Sequence, residues 1–202
     1  MNMPSEFQDQ VAGFVELVKP GLMIETGVQT GAASRAILSA MDRVAHGRLI
    51  SIDPFSRHNL THPRWTFHEG LSFDWLPKIY RTFHDWDIFL HDSDHAVGCT
   101  VFEYEFTWRC LKPGGYLLTD DHNWNQEYKV WSKFLVEHEV SETLILGSVR
   151  GCQKPMQLGQ VNDITRTVDL CSKLANAACV KAGLPEYLPT RIYAKDYLLN
   201  IG

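Results

Sequence analysis

Residues 89–95 read FLHDSDH: an apolar run that stops in two aspartates and two histidines. Acids and imidazoles at the end of a buried segment are costly unless a partner, a proton or a metal uses them. A second acidic pair, Asp120-Asp121, closes the apolar run YLLTDD at 116–121. Two further acids end short apolar runs, Glu25 after GLMI and Asp53 after RLISI. Carboxylates gathered in this way can hold a hard divalent cation, and a histidine beside them can move a proton at neutral pH.

Those acids need elements to bring them together. Apolar residues at helical spacing predict helices over 4–18, 31–44, 72–83, 97–111, 125–138 and 163–182, with 97–111 amphipathic. Between them, 21–25, 48–53, 64–70, 86–92, 116–121, 142–149 and 155–161 read as strands, and KPGG at 112–115 reads as a turn. Strands alternating with helices imply βαβ units. The expected fold is α/β: a doubly wound, mostly parallel, seven-stranded Rossmann-like sheet with helices on both faces. Residues 1–161 would form the domain proper. Residues 162–202 would be a C-terminal helical extension of the same domain, capping the site or mediating oligomerisation.

Composition excludes several classes. The 202 residues are 45% hydrophobic and 21% charged, which fits one globular domain rather than a disordered chain. The net charge of -5, with no basic block or stripe, argues against a nucleic-acid binder. No apolar run reaches the ~20 residues needed to cross a bilayer, and MNMPSEFQDQ lacks the layout of a signal peptide. The expected location is cytoplasmic, away from membranes. Five cysteines without a C-x-x-C pair fit buried, reduced thiols.

In a parallel doubly wound sheet, ligands sit at the carboxyl ends of the strands. After strand one comes ETGVQTGAAS (25–34), where Gly27 allows a tight turn and Gly31 lets a ligand approach the next helix. Asp53 is placed to accept ribose hydroxyls. The dinucleotide pattern G-x-G-x-x-G is absent, since Gln29 and Thr30 occupy its positions, which disfavours NAD or FAD.

The pattern E-x-G-x-x-x-G-A-A-S, with Asp53 after strand two and LKPGGYLL at 111–118, resembles the Rossmann-like S-adenosylmethionine-dependent methyltransferases. The resemblance implies cofactor contacts at Glu25, Gly27, Gly31, Ser34, Asp53, Glu69, Gly70 and Asp92. Glu25, Gly27 and Gly31 would surround the methionine part, and the turn Glu69 to Ser72 would lie near the adenine.

Asp92 and the pair Asp120-Asp121 converge if strands four and five are neighbours, since adjacent strands lie about 4.8 Å apart. Three like charges so close favour a bound cation, and oxygen donors point to Mg²⁺, or else Mn²⁺ or Ca²⁺. The arrangement resembles the metal-dependent O-methyltransferases of the catechol type, together with a bacterial group of sugar O-methyltransferases and cephalosporin-hydroxylase-like proteins. In the catechol enzymes a lysine three residues after the first metal-binding aspartate is the base; here that position is His95.

The implied activity is O-methylation of a small hydroxylated acceptor such as a sugar, polyketide or phenol. Asp92 and His95 would be catalytic, Asp92, Asp120 and Asp121 would bind metal, and His122 and Trp124 would touch the acceptor. Asp94 reads as a helix cap and His91 as a packed strand end. Two alternatives stay open: a metal-free N-, O- or C-methyltransferase, and a cofactor-binding protein of this fold without catalysis. A homo-oligomer is compatible with either.

Overall fold

The computed structural model describes residues 6–120, 127–146, 148–160 and 162–185. In chain order the elements are α1 (Glu6–Val18), β1 (Leu22–Thr26), α2 (Ala32–Arg43), β2 (Arg48–Asp53), β3 (Trp65–Glu69), α3 (Ser72–Thr82) and β4 (Trp86–His91). They continue with α4 (Val97–Cys110), β5 (Leu111–Thr119), α5 (Glu127–Glu137), β6 (Leu144–Leu146), β7 (Val149–Gln153) and α6 (Ile164–Lys181).

The sheet runs in the order β3-β2-β1-β4-β5-β7-β6. The first five of these pair in parallel, while β7 is antiparallel to both β5 and β6. The sheet is therefore mixed, because β6 and β7 return as a hairpin instead of crossing over a helix. Alternate strand residues face opposite layers. Met23, Leu49, Ile88 and Leu90 pack with α1 and α2, while Ile24, Ile50, Phe89 and Leu117 pack with α3, α4, α5 and α6. Both faces are covered, which explains why β1 and β4 are buried at every position.

Three expectations change. First, β5 starts at Leu111, so KPGG lies inside the strand. Gly114 and Gly115 exchange backbone hydrogen bonds with Lys154 at 2.9 and 2.8 Å, and a Cβ on Gly115 would come within 3.0 Å of the Asp87 carbonyl. Second, the last strand is Val149–Gln153, and 155–160 holds no strand; Pro155 has no N–H with which to extend the ladder. Third, α4 is buried on nearly every side, because α6 lies along it and fills the core with Cys171, Ala175 and Cys179. Asp163 caps α6, accepting from the Arg166 amide at 3.0 Å.

No helix among the described residues is long and apolar enough to cross a membrane. All five cysteines are free thiols, four of them buried.

Candidate active site

Buried parallel strands deliver their last residues to one edge of the sheet. The register pairs His91 with Thr119, so Asp92 and Asp120 leave neighbouring strands at the same level. The Asp120 amide donates to the His91 carbonyl at 2.9 Å, and the Asp92 amide donates to the Thr26 carbonyl at 3.0 Å. The expected adjacency of strands four and five is thus observed. Asp120 is buried, and its carboxylate accepts from Ser148 Oγ. Asp121, His122 and Trp124 lie outside the described residues.

A cavity of about 290 Å³ opens over this edge. Its floor carries Gly27, Asp53, Gly70 and Asp92, and its walls are largely apolar, with Phe55, Leu71, Phe73 and Val97. Cys179, Leu184 and Pro185, from the end of α6 and just beyond it, close one side. Size and lining suit a small organic ligand held by a few polar groups.

Asp53 also organises the loop after β1. Its Oδ2 accepts from the amides of Val28 and Gln29 at 2.8 and 2.9 Å, and its Oδ1 from Phe55 at 2.7 Å. Gly27 has φ +84, and a Cβ there would lie 1.7 Å from the Asp92 carbonyl oxygen. Its bareness therefore serves the crossing of two backbone loops. Gly31, also left-handed, is the N-cap of α2.

Several residues expected at the site do not line the cavity, His95 and Asp120 among them. Glu25 and Ser34 are fully buried behind it, and Glu25 Oε2 accepts from Ser34 and Ser51, each at 2.6 Å. Burial pushes the Glu25 carboxyl up to about 7, against the lowering effect of those two hydroxyls. Gly31 lies off the cavity beside His58, and Glu69 is exposed at the end of β3. Their spacing placed them near the site, but the pleat of β1 turned Glu25 inward and Ser34 faces it from the buried side of α2.

His91, His95 and two glutamates form a buried network beside Asp92. His91 Nδ1 and Thr26 Oγ1 both bond Glu103 Oε2 at 2.6 Å, and Ser93 Oγ donates to Oε1 at 2.9 Å. His95 Nδ1 bonds Glu127 Oε2, and His91 Nε2 lies 3.6 Å from Glu127 Oε1. Burial opposes charge on Glu103, but His91 and the surrounding hydroxyls outweigh it and hold its pKa below the usual carboxylate value. Burial likewise opposes charge on Glu127, and His95, His91 and Thr119 carry its pKa down. For His91, burial is outweighed by Glu103 and Glu127, which raise its pKa above the ordinary imidazole value.

Neither glutamate was singled out from the sequence. The available signal was the absence of a polar stripe in VFEYEFTWRC, which leaves Glu103 no route to water. Asp94 accepts from the Ala96 amide at 3.0 Å, but the N-cap of α4 is Ala96 itself. Asp94 therefore shapes the turn before the helix instead of capping it.

A family model described as a methyltransferase domain matches residues 24–122, which span β1 to the end of β5. The matched segment, residues 24–122, holds the loops after β1, β2 and β4 that line the cavity. The match falls on the segment whose motifs resemble the Rossmann-like methyltransferases.

Solved structures agree with the domain's fold. An O-methyltransferase from Bacillus cereus in complex with SAH superimposes with a TM-score of 0.53 at 12% identity, over 76% of this chain and 83% of that one. The MycE methyltransferase of the mycinamycin biosynthetic pathway, in complex with Mg, SAH and mycinamycin VI, gives 0.58 at 13% identity, over 75% and 50%. The structure described as cmcI-D160 Mg-SAM gives 0.56 at 16% identity, over 74% and 71%. A search of curated proteins finds no match.

Proposed function

We propose that this chain transfers a methyl group from S-adenosylmethionine to a hydroxyl oxygen of a small acceptor, with a divalent cation and His95 assisting. The observation that carries the reading is the placement of Asp53, Gly27 and Asp92 on one cavity, with Asp120 beside Asp92 on the adjacent strand. The solved neighbours that carry SAH or SAM together with Mg support both groups.

The residues fit the cofactor. The cavity offers apolar walls at Leu71 and Phe73 and a carboxylate, Asp53, for ribose hydroxyls. They fit a hard cation as well, since Asp92 and Asp120 offer carboxylate oxygens, and Asp121 would complete the set. S-adenosylmethionine supplies a sulfonium methyl as electrophile, and Mg²⁺ supplies a Lewis acid that lowers the pKa of a bound hydroxyl. Asp92 and Asp120 would hold that cation and orient the acceptor. His95 would take the hydroxyl proton, with imidazole chemistry suited to neutral pH. The apolar walls would exclude water from the reacting oxygen. The acceptor is a small hydroxylated molecule such as a sugar, polyketide or phenol.

Calorimetric titration with Mg²⁺ separates metal assistance from cofactor binding. Wild type should bind the ion, and Asp120→Asn should lose at least ten-fold in Mg²⁺ affinity while keeping its affinity for S-adenosylmethionine. Equal Mg²⁺ binding by wild type and variant would remove Asp120 from the metal site.

A further inference from the structure

We propose that Glu127 is the positioning residue for His95: its carboxylate holds the Nδ1–H and leaves Nε2 as the nitrogen that takes the acceptor's proton. The inference rests on the reading of His95 as the base. It goes beyond that reading by assigning a tautomer and naming the group that enforces it.

Glu127 is the first residue of α5, where unpaired N–H groups and the helix dipole favour a negative charge. Its side chain is fully buried, so both oxygens must be satisfied by protein groups. Tyr104 and Thr119 hydroxyls lie 2.7 and 2.5 Å from Oε1, and His95 Nδ1 bonds Oε2. Tyr104 and Thr119 also lie 2.6 Å from each other, so Oε1 sits in a linked pair of hydroxyls.

An ionised carboxylate can only accept, so the contact to His95 Nδ1 requires the proton on that nitrogen. Nε2 is then the lone-pair nitrogen. This is the reverse of the tautomer that free histidine favours, and it needs a partner to maintain it. When Nε2 takes a proton, the resulting imidazolium already faces a carboxylate, which stabilises the charged form. A nucleophile's base that is itself oriented by a third group is a recurrent catalytic arrangement.

The same atoms admit a rival occupant. His91, His95 and Glu127 each offer one ligand atom, all within 4.8 Å of one another, and His91 Nε2 is buried without a hydrogen-bond partner among the described residues. The bonded contact between His95 and Glu127 favours a proton between them, because a metal would separate its ligands.

Nuclear magnetic resonance of the full chain with isotope-labelled histidine rings reads the tautomer directly, without acceptor or cofactor. His95→Gln assigns the resonances. In wild type at mildly alkaline pH, His95 should carry its proton on Nδ1. Glu127→Leu should move it to Nε2, whereas Tyr104→Phe, which leaves the carboxylate in place, should keep it on Nδ1. Wild-type His95 protonated on Nε2 would overturn the proposal whether or not Glu127→Leu folds. Stoichiometric Zn²⁺ that shifts the His91 and His95 rings together would assign the cluster to a metal and overturn it too. Binding of S-adenosylmethionine, measured separately, distinguishes failure of this inference from failure of the methyltransferase reading.

Discussion

The α-carbon of Gly27 packs against the backbone carbonyl of Asp92 so closely that a Cβ would stand 1.7 Å from that oxygen. The loop after β1 and the loop after β4 therefore pass each other at contact distance, and the position of Asp92 depends on a missing side chain. Gly27→Ala must push the two loops apart as well as adopt φ +84. A loss of about 2 kcal/mol or more is expected from strain of this kind. At Gly31, with φ +80, the nearest atoms would lie 3.4 Å away in side chains, so Gly31→Ala should cost only about 1–2 kcal/mol. Urea unfolding of the two variants checks the order.

Glu25 makes stability depend on pH. Burial raises its folded-state pKa to about 7, against roughly 4.3 in an unfolded chain. Between those values the native state keeps a proton that the unfolded state has released. Stability should accordingly fall as pH rises from about 4.5 to 7, by an amount on the order of a few kcal/mol. Glu25→Gln keeps the shape, still accepts from Ser34 and Ser51, and removes the titration. Its unfolding midpoint should be flatter than that of wild type across this window; parallel curves would count against the assignment.

Glu103 is the hub for Thr26, His91 and Ser93. Glu103→Leu leaves His91 Nδ1 and two hydroxyls without their acceptor inside the core. Removing one partner of a buried pair typically costs about 3–5 kcal/mol. A thermal-unfolding loss near that range is expected, with Glu103→Gln losing less. A loss below about 1 kcal/mol for Glu103→Leu would mean that the network rearranges around the gap.

Much of this is legible in the sequence. β1, β2 and β4 are short, largely apolar runs closed by polar residues, the pattern that strands buried on both faces produce, and the spacing sets their bounds to within a residue. The convergence of Asp92 and Asp120 followed from strand order alone. The start of β5 was hidden because Pro113, Gly114 and Gly115 spell a turn locally, and only pairing with Trp86 and Lys154 keeps them in the strand. Glu25 and Ser34 were placed by motif spacing, which does not say which way a side chain faces. Glu127 could not be found because its role depends on α5 folding back beside His95, a contact between residues 32 positions apart.

The cavity over Asp53, Gly27 and Asp92 is the proposed seat of S-adenosylmethionine. Isothermal titration of the full chain with S-adenosylmethionine, alongside Asp53→Asn, tests it most directly. One site per chain is expected, with affinity at least ten-fold weaker in the variant, a difference of about 1.4 kcal/mol. No heat of binding in a folded wild-type chain, with or without Mg²⁺, would contradict it.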